Sequence, residues 1–109
     1  MLKNNSLDLN ARDAYTGINA FWLACYYGRG GIMRELANAG IDIYNCNKQK
    51  VNVFHLAIYK NLEDVVQMLL KSNFSLELLT SKGYSVFHLS SMLNHTKILK
   101  MILSYLKKN

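Results

Sequence analysis

The chain has 109 residues, half of them hydrophobic, with 13 Lys and Arg against 7 Asp and Glu, and no proline. That length suits a single domain burying roughly 60–65% of the surface its unfolded chain exposes, and the apolar share excludes a disordered tail. No window approaches the ~18 consecutive apolar residues of a membrane span, and Met1-Leu2-Lys3-Asn4-Asn5-Ser6 lacks the apolar core of a signal peptide.

A soluble protein of the reducing cytoplasm, without membrane insertion, is therefore expected, with Cys25 and Cys46 as free thiols rather than a staple. The net charge of +6 is uneven: Lys82, Lys97, Lys100, Lys107 and Lys108 lie beyond Thr80 with no acid among them. Such a balance favours acidic partners mildly, and most of it is expected to form a solvated face.

In chain order, residues 1–13 come first, an extension or the end of a preceding structural unit. A first helix is predicted near 20–27. Asn19 stands before it as a cap for the orphan N–H groups of the first turn, and Gly28 stands where a left-handed residue ends it. A second helix follows near 30–39 and closes at Gly40. The same succession then repeats with Asn52, a helix near 53–60, Asn61, a helix near 63–72 and Asn73. It repeats once more with Ser85, a helix near 86–93, Asn94 and a helix near 96–106. Short polar stretches such as Tyr44-Asn45-Cys46-Asn47-Lys48-Gln49 separate the units and suit projecting turns.

The segment Asn52-Val53-Phe54-His55-Leu56-Ala57 returns 33 positions later as Ser85-Val86-Phe87-His88-Leu89-Ser90, and its earlier counterpart is Asn19-Ala20-Phe21-Trp22-Leu23-Ala24. Apolar columns run through all three copies: Phe21/Phe54/Phe87, Leu23/Leu56/Leu89, Ile32/Val65/Ile98, Met33/Val66/Leu99, Leu36/Leu69/Ile102 and Ala37/Leu70/Leu103. The later columns form a one-sided helical stripe that a neighbour must cover. One supersecondary unit stacked on copies of itself satisfies that need.

These residues resemble the ankyrin repeat, a 33-residue unit of a β-turn and two antiparallel helices whose first helix opens on Thr-Pro-Leu-His-x-Ala. Val-Phe-His-Leu-Ala matches well in the second unit, the third is close, and the first is weaker. Asp42-Ile43 after Gly40 resembles the family's tail, and Gly17 and Gly83 stand two residues before the cap. The resemblance implies an all-α solenoid of stacked helix-turn-helix units with projecting β-turn or hairpin loops. It divides the chain into a remnant over 1–13 and repeats over 14–48, 49–81 and 82–109, the last cap-like because Lys97, Lys100, Lys107 and Lys108 wet its outer side.

Departures from the family pattern are expected to matter. Ala20, Val53 and Val86 stand where the family has proline at the first helical residue. Trp22 replaces the motif histidine, which should remove its hydrogen bonds to neighbouring turns and leave the first unit held by apolar packing. The turn Asp13-Ala14-Tyr15-Thr16-Gly17 carries one residue more than the family spacing.

No catalytic constellation accompanies this frame, and the reading is of a protein that is not an enzyme and needs no cofactor. His55 and His88 lie one repeat apart, so their rings stack along the array without converging on a metal. Gly28-Arg29-Gly30-Gly31 joins two helices and lacks the strand and lysine of a phosphate loop. The resemblance instead places a partner on the turn tips and the exposed side of the first helices: Tyr15, Ile18, Tyr26, Tyr27, Lys48, Gln49, Tyr59, Lys60, Lys82, Tyr84 and Met92. Five of the seven tyrosines fall there, and tyrosine is enriched at interface hot spots.

The function implied is recognition of a partner protein on the concave tip-and-inner-helix surface, by a chain expected to be monomeric, with an acidic partner favoured. The alternative is a targeting or substrate-recruiting segment of a larger multidomain protein or enzyme. Nucleic acid is disfavoured because the basic residues are not gathered in one stripe.

Overall fold

The computed structural model describes residues 7–108; the readings made on residues 1–6 and Asn109 lie outside them. Six helices follow in order: α1 Ala20–Tyr26, α2 Gly30–Asn38, α3 Val53–Tyr59, α4 Glu63–Lys71, α5 Val86–Met92 and α6 Thr96–Lys108. Among the described residues there are no strands, and each projecting loop is a turn closed by backbone hydrogen bonds. The helices pair as α1/α2, α3/α4 and α5/α6, and the pairs stack in chain order, giving an elongated body of 50 × 28 × 22 Å.

The local chemistry anticipated at each helix start is present. Asn19, Asn52 and Ser85 are N-caps whose side chains accept the backbone N–H of Trp22, His55 and His88 respectively. Each first helix ends on a left-handed residue, Gly28, Asn61 or Asn94. The next residue then donates back across the last turn, as in Arg29 N–H to Ala24 O, Leu62 N–H to Ala57 O and His95 N–H to Ser90 O. These bonds satisfy carbonyls that a helix end otherwise orphans. Gly40 and Asn73 close α2 and α4 in the same way, with Ile41 N–H to Leu36 O and Phe74 N–H to Leu69 O.

Burial of the columns depends on whether a unit stands beside the residue. Leu23 is 45% exposed while Leu56 and Leu89 are 7% and 0%; Ile32 is 54% exposed while Val65 and Ile98 are 4% and 0%. At the other end Leu103 is 46% exposed and its counterpart Leu70 only 2%. The expectation that every column is covered therefore fails at both terminal faces, because a residue of a stacked unit is buried only by the unit beside it. The outer side of α6 is correspondingly mixed: Leu103 and Leu106 are exposed among Lys100 and Lys107, so it is less polar than its lysines alone suggest.

Trp22 corrects a second expectation. His55 has two roles in its unit: Nδ1 accepts the N–H of the cap residue Asn52 at 3.2 Å, and Nε2 donates to Leu78 O at 2.9 Å in the next turn. Indole has one N–H and no acceptor, so Trp22 keeps only the outward bond, to Val51 O at 2.8 Å. The inward bond passes to Asn45, whose Oδ1 takes the Asn19 N–H at 2.9 Å while its Nδ2 donates to Gly17 O. The first unit is thus still bonded to the neighbouring turn.

Candidate functional site

The three turns project from the same edge of the stack. Each closes on a backbone bond: Asp13 N–H to Ile18 O, Asn47 N–H to Val51 O and Thr80 N–H to Tyr84 O. The first spans one residue more than the others, as the sequence spacing indicated. Gly17 and Gly83 take positive φ before their caps, and Lys50 holds the same position at φ 60°, a conformation that a side chain disfavours. Ser81 N–H donates to Gln49 O at 2.8 Å and ties the second turn to the third.

Between these two turns and the first helices lies a groove of about 510 Å³, walled by Trp22, Val51, Leu56, Tyr59, Tyr84 and Met92 and rimmed by Asn47, Gln49, Thr80, Ser81 and Lys82. Of the residues anticipated as partner-binding, the groove gathers Gln49, Tyr59, Lys82, Tyr84 and Met92. Tyr84 is half-buried against the core with its ring 6.0 Å from that of His88, whereas Tyr59, Met92, Gln49 and Lys82 are exposed.

Tyr26, Tyr27 and Lys60 form a second cluster joined to the groove through Trp22. The Trp22 and Tyr26 rings stack at 6.1 Å, the Tyr27 ring meets that of Tyr26 edge-on at 5.1 Å, and Lys60 Nζ lies 4.3 Å from the Tyr26 ring centroid. Such a cation over an exposed ring contributes about 0.5–1 kcal/mol and fixes where the ammonium sits. Tyr15, Ile18 and Lys48 stand outside the groove: Tyr15 is 85% exposed at the first turn, Ile18 packs partly against the core, and Lys48 is exposed beside Gln49.

Trp22, Asn47, Leu56 and Thr80 belong to the groove and were not anticipated there. Leu56 is an apolar column residue, and nothing in its type separates groove wall from core. Trp22 carried a legible signal, a bulky ring in place of the motif histidine.

Burial lowers the pKa of His55, which holds the ring neutral, consistent with one nitrogen accepting and the other donating. Burial also pushes the Cys25 thiol up to about 12, so it is not a nucleophile. Among the described residues, no group of three or more His, Cys, Asp or Glu is placed to hold a metal, and no helix is long and apolar enough to cross a membrane.

A groove of similar size, about 530 Å³, runs along the opposite face between α4 and α6, where Lys71, Lys97, Lys100 and Lys108 surround Met101, Ser104 and Tyr105. Lys97 Nζ is held there by Glu63 Oε1 at 3.1 Å. The two faces differ in kind, aromatic and apolar near the turns, lysine-rich on the outer helices.

The family profile described as ankyrin repeats (3 copies) matches residues 1–79 and again 21–109. No curated protein matches the chain.

Proposed function

The chain belongs to the ankyrin-repeat family, and from that premise we propose that it is a non-catalytic recognition module that binds a partner protein on its concave face. Ankyrin repeats are generally protein–protein interaction modules; the surface used by this chain is inferred from its own residues. The observation that carries the reading is the gathering of Trp22, Tyr59, Tyr84 and Met92 around one groove beside the Tyr26/Tyr27 cluster. Rigid aromatic anchors of this kind dominate binding energy, while charges at a rim chiefly tune rate and selectivity. A cytoplasmic, monomeric protein fits the free thiols and the basic rim.

A second reading, a recruiting segment within a larger protein, is favoured by one observation. Leu23 and Ile32 present bare the same columns that the second and third units bury, and a further unit stacked on that face would cover them.

The test of the concave reading is capture of the native partner by two double variants confirmed folded by circular dichroism. Tyr26→Ala with Tyr59→Ala should weaken binding at least about tenfold, some 1.4 kcal/mol. Lys100→Glu with Lys107→Glu should leave it nearly unchanged at physiological salt. The opposite pattern would replace this reading with an electrostatic partner on the outer helices, nucleic acid included.

A further inference from the structure

We infer that the groove between the second and third turns receives a short extended segment of a partner protein carrying one bulky apolar side chain flanked by carboxylates. This rests on the concave-face reading above and adds the chemistry of what is read.

The requirement for an apolar anchor follows from the groove's hydrogen bonding. Trp22 is the most unusual wall residue, and its only polar atom is already committed, donating to Val51 O at 2.8 Å. The ring therefore offers a visitor only its carbon surface. The Asn47 carboxamide oxygen is occupied as well, accepting the N–H groups of Gln49 and Val51, and Thr80 Oγ1 accepts the Tyr84 N–H. Val51, Leu56 and Met92 add only apolar surface. A polar side chain seated against these apolar walls would lose water without gaining a partner there, a cost an apolar side chain avoids, whereas the polar groups of Gln49, Ser81 and Lys82 belong to the rim.

The requirement for acidic flanks follows from the rim. No carboxylate lines the groove, and Lys82 does. Lys48 adjoins Gln49 in the second turn, and Lys60 adjoins Tyr59 and is fixed over the Tyr26 ring at 4.3 Å. Of the acids near in sequence, Glu63 and Asp64 open α4, with Glu63 engaged with Lys97, and Glu77, three residues before Thr80, does not line the groove. Lys82 and Lys60, with no acid lining the groove, and Lys48, which also feels Asp13 in the first turn, attract carboxylates and repel a basic chain. An extended segment, rather than an enclosed small molecule, fits because Tyr59, Met92, Gln49 and Lys82 remain exposed, leaving a trough open along its length.

The chain has a single tryptophan, so Trp22 emission reports occupancy directly. The probes are pools of short synthetic peptides with a central Phe or Leu flanked by Asp and Glu, by Asn and Gln, or by Lys and Arg, together with an acidic pool whose central residue is Ala. The acidic pool with the apolar anchor should shift Trp22 emission saturably, at roughly tenfold lower concentration than the amide pool. The basic pool and the Ala pool should give no shift. Tyr59→Ala with Met92→Ala, two exposed residues whose loss leaves the core intact, should abolish the response. Lys48→Gln with Lys82→Gln should keep binding but erase the preference for acid.

An amide pool that matches the acidic one, both lost in the Tyr59/Met92 variant, would overturn the assigned chemistry and leave the concave reading standing. So would silence from every pool while native capture still depends on Tyr26 and Tyr59. Acidic-pool binding that survives the Tyr59/Met92 change and disappears with Lys97→Gln and Lys100→Gln would overturn both.

Discussion

The second unit and the first begin with the same asparagine cap and differ in hydrogen bonding at the third residue after it. In the second, His55 is buried and both ring nitrogens are spent on structure, one on its own cap and one on the next turn. In the first, Trp22 keeps the outward bond, hands the inward one to Asn45, and lays an indole along the edge of the groove. A repeat position thus fulfils its structural role while the edge of its ring, on a residue only 8% exposed, lines the contact groove. The outer helices diverge as well: α4 buries Val65, Val66, Leu69 and Leu70, whereas α2 buries only Met33. The second unit is held from both sides, and the first exposes a face that stacking would otherwise cover.

The largest expected consequence concerns one column at two depths. Leu70→Ala should cost about 2–5 kcal/mol, as for other buried leucines, whereas Leu103→Ala, at the bare end, should cost less than about 1 kcal/mol. Urea titration measures both, and similar losses would mean that the units are not stacked in the register described.

Next in size are the histidines. His55→Ala leaves the buried Asn52 N–H and the part-buried Leu78 O without this partner and should cost about 1–3 kcal/mol. His88 is exposed, with Nδ1 near Ser85 N–H and Oγ, so His88→Ala should cost less. The same contrast has a pH signature. Burial lowers the folded pKa of His55, so as pH falls the unfolded chain takes up this proton first. The stability that His55 contributes is complete above its ordinary pKa of about 6.5 and is lost as pH drops from there toward the lower folded value. Thermal midpoints measured across that interval should fall less steeply in His55→Gln than in the unaltered chain.

The smallest effect contrasts the second turn with the other two. Lys50 holds at φ 60° a place that Gly17 and Gly83 fill elsewhere. Lys50→Gly should relieve the left-handed strain, for a net gain of about 0.5 kcal/mol after the added freedom of the unfolded chain. A loss of stability would show that the Lys50 side chain makes a compensating contact.

Most of the architecture was legible because it follows from local chemistry that repeats. Asn19, Asn52 and Ser85 cap helices wherever they precede an apolar stripe, and Gly28, Asn61 and Asn94 end them because those residues tolerate positive φ. Which face of a column residue stays bare was not legible. Leu23, Leu56 and Leu89 are identical letters, and only the presence of a neighbouring unit separates their burial. The groove was legible in part. Its tyrosines, lysine and methionine follow from the family's usual surface, but Trp22 entered through a substitution whose hydrogen bonding depends on Val51 O and Asn45, far away in sequence.

The central claim is that the partner lies between the second and third turns and not on the outer helices. Hydrogen–deuterium exchange of the chain alone and bound to its native partner tests it most directly. Protection should concentrate in residues 47–51 and 80–84 and on α3, with α4 and α6 little changed. Protection confined to α4 and α6, with the two turns exchanging as in the free chain, would contradict it.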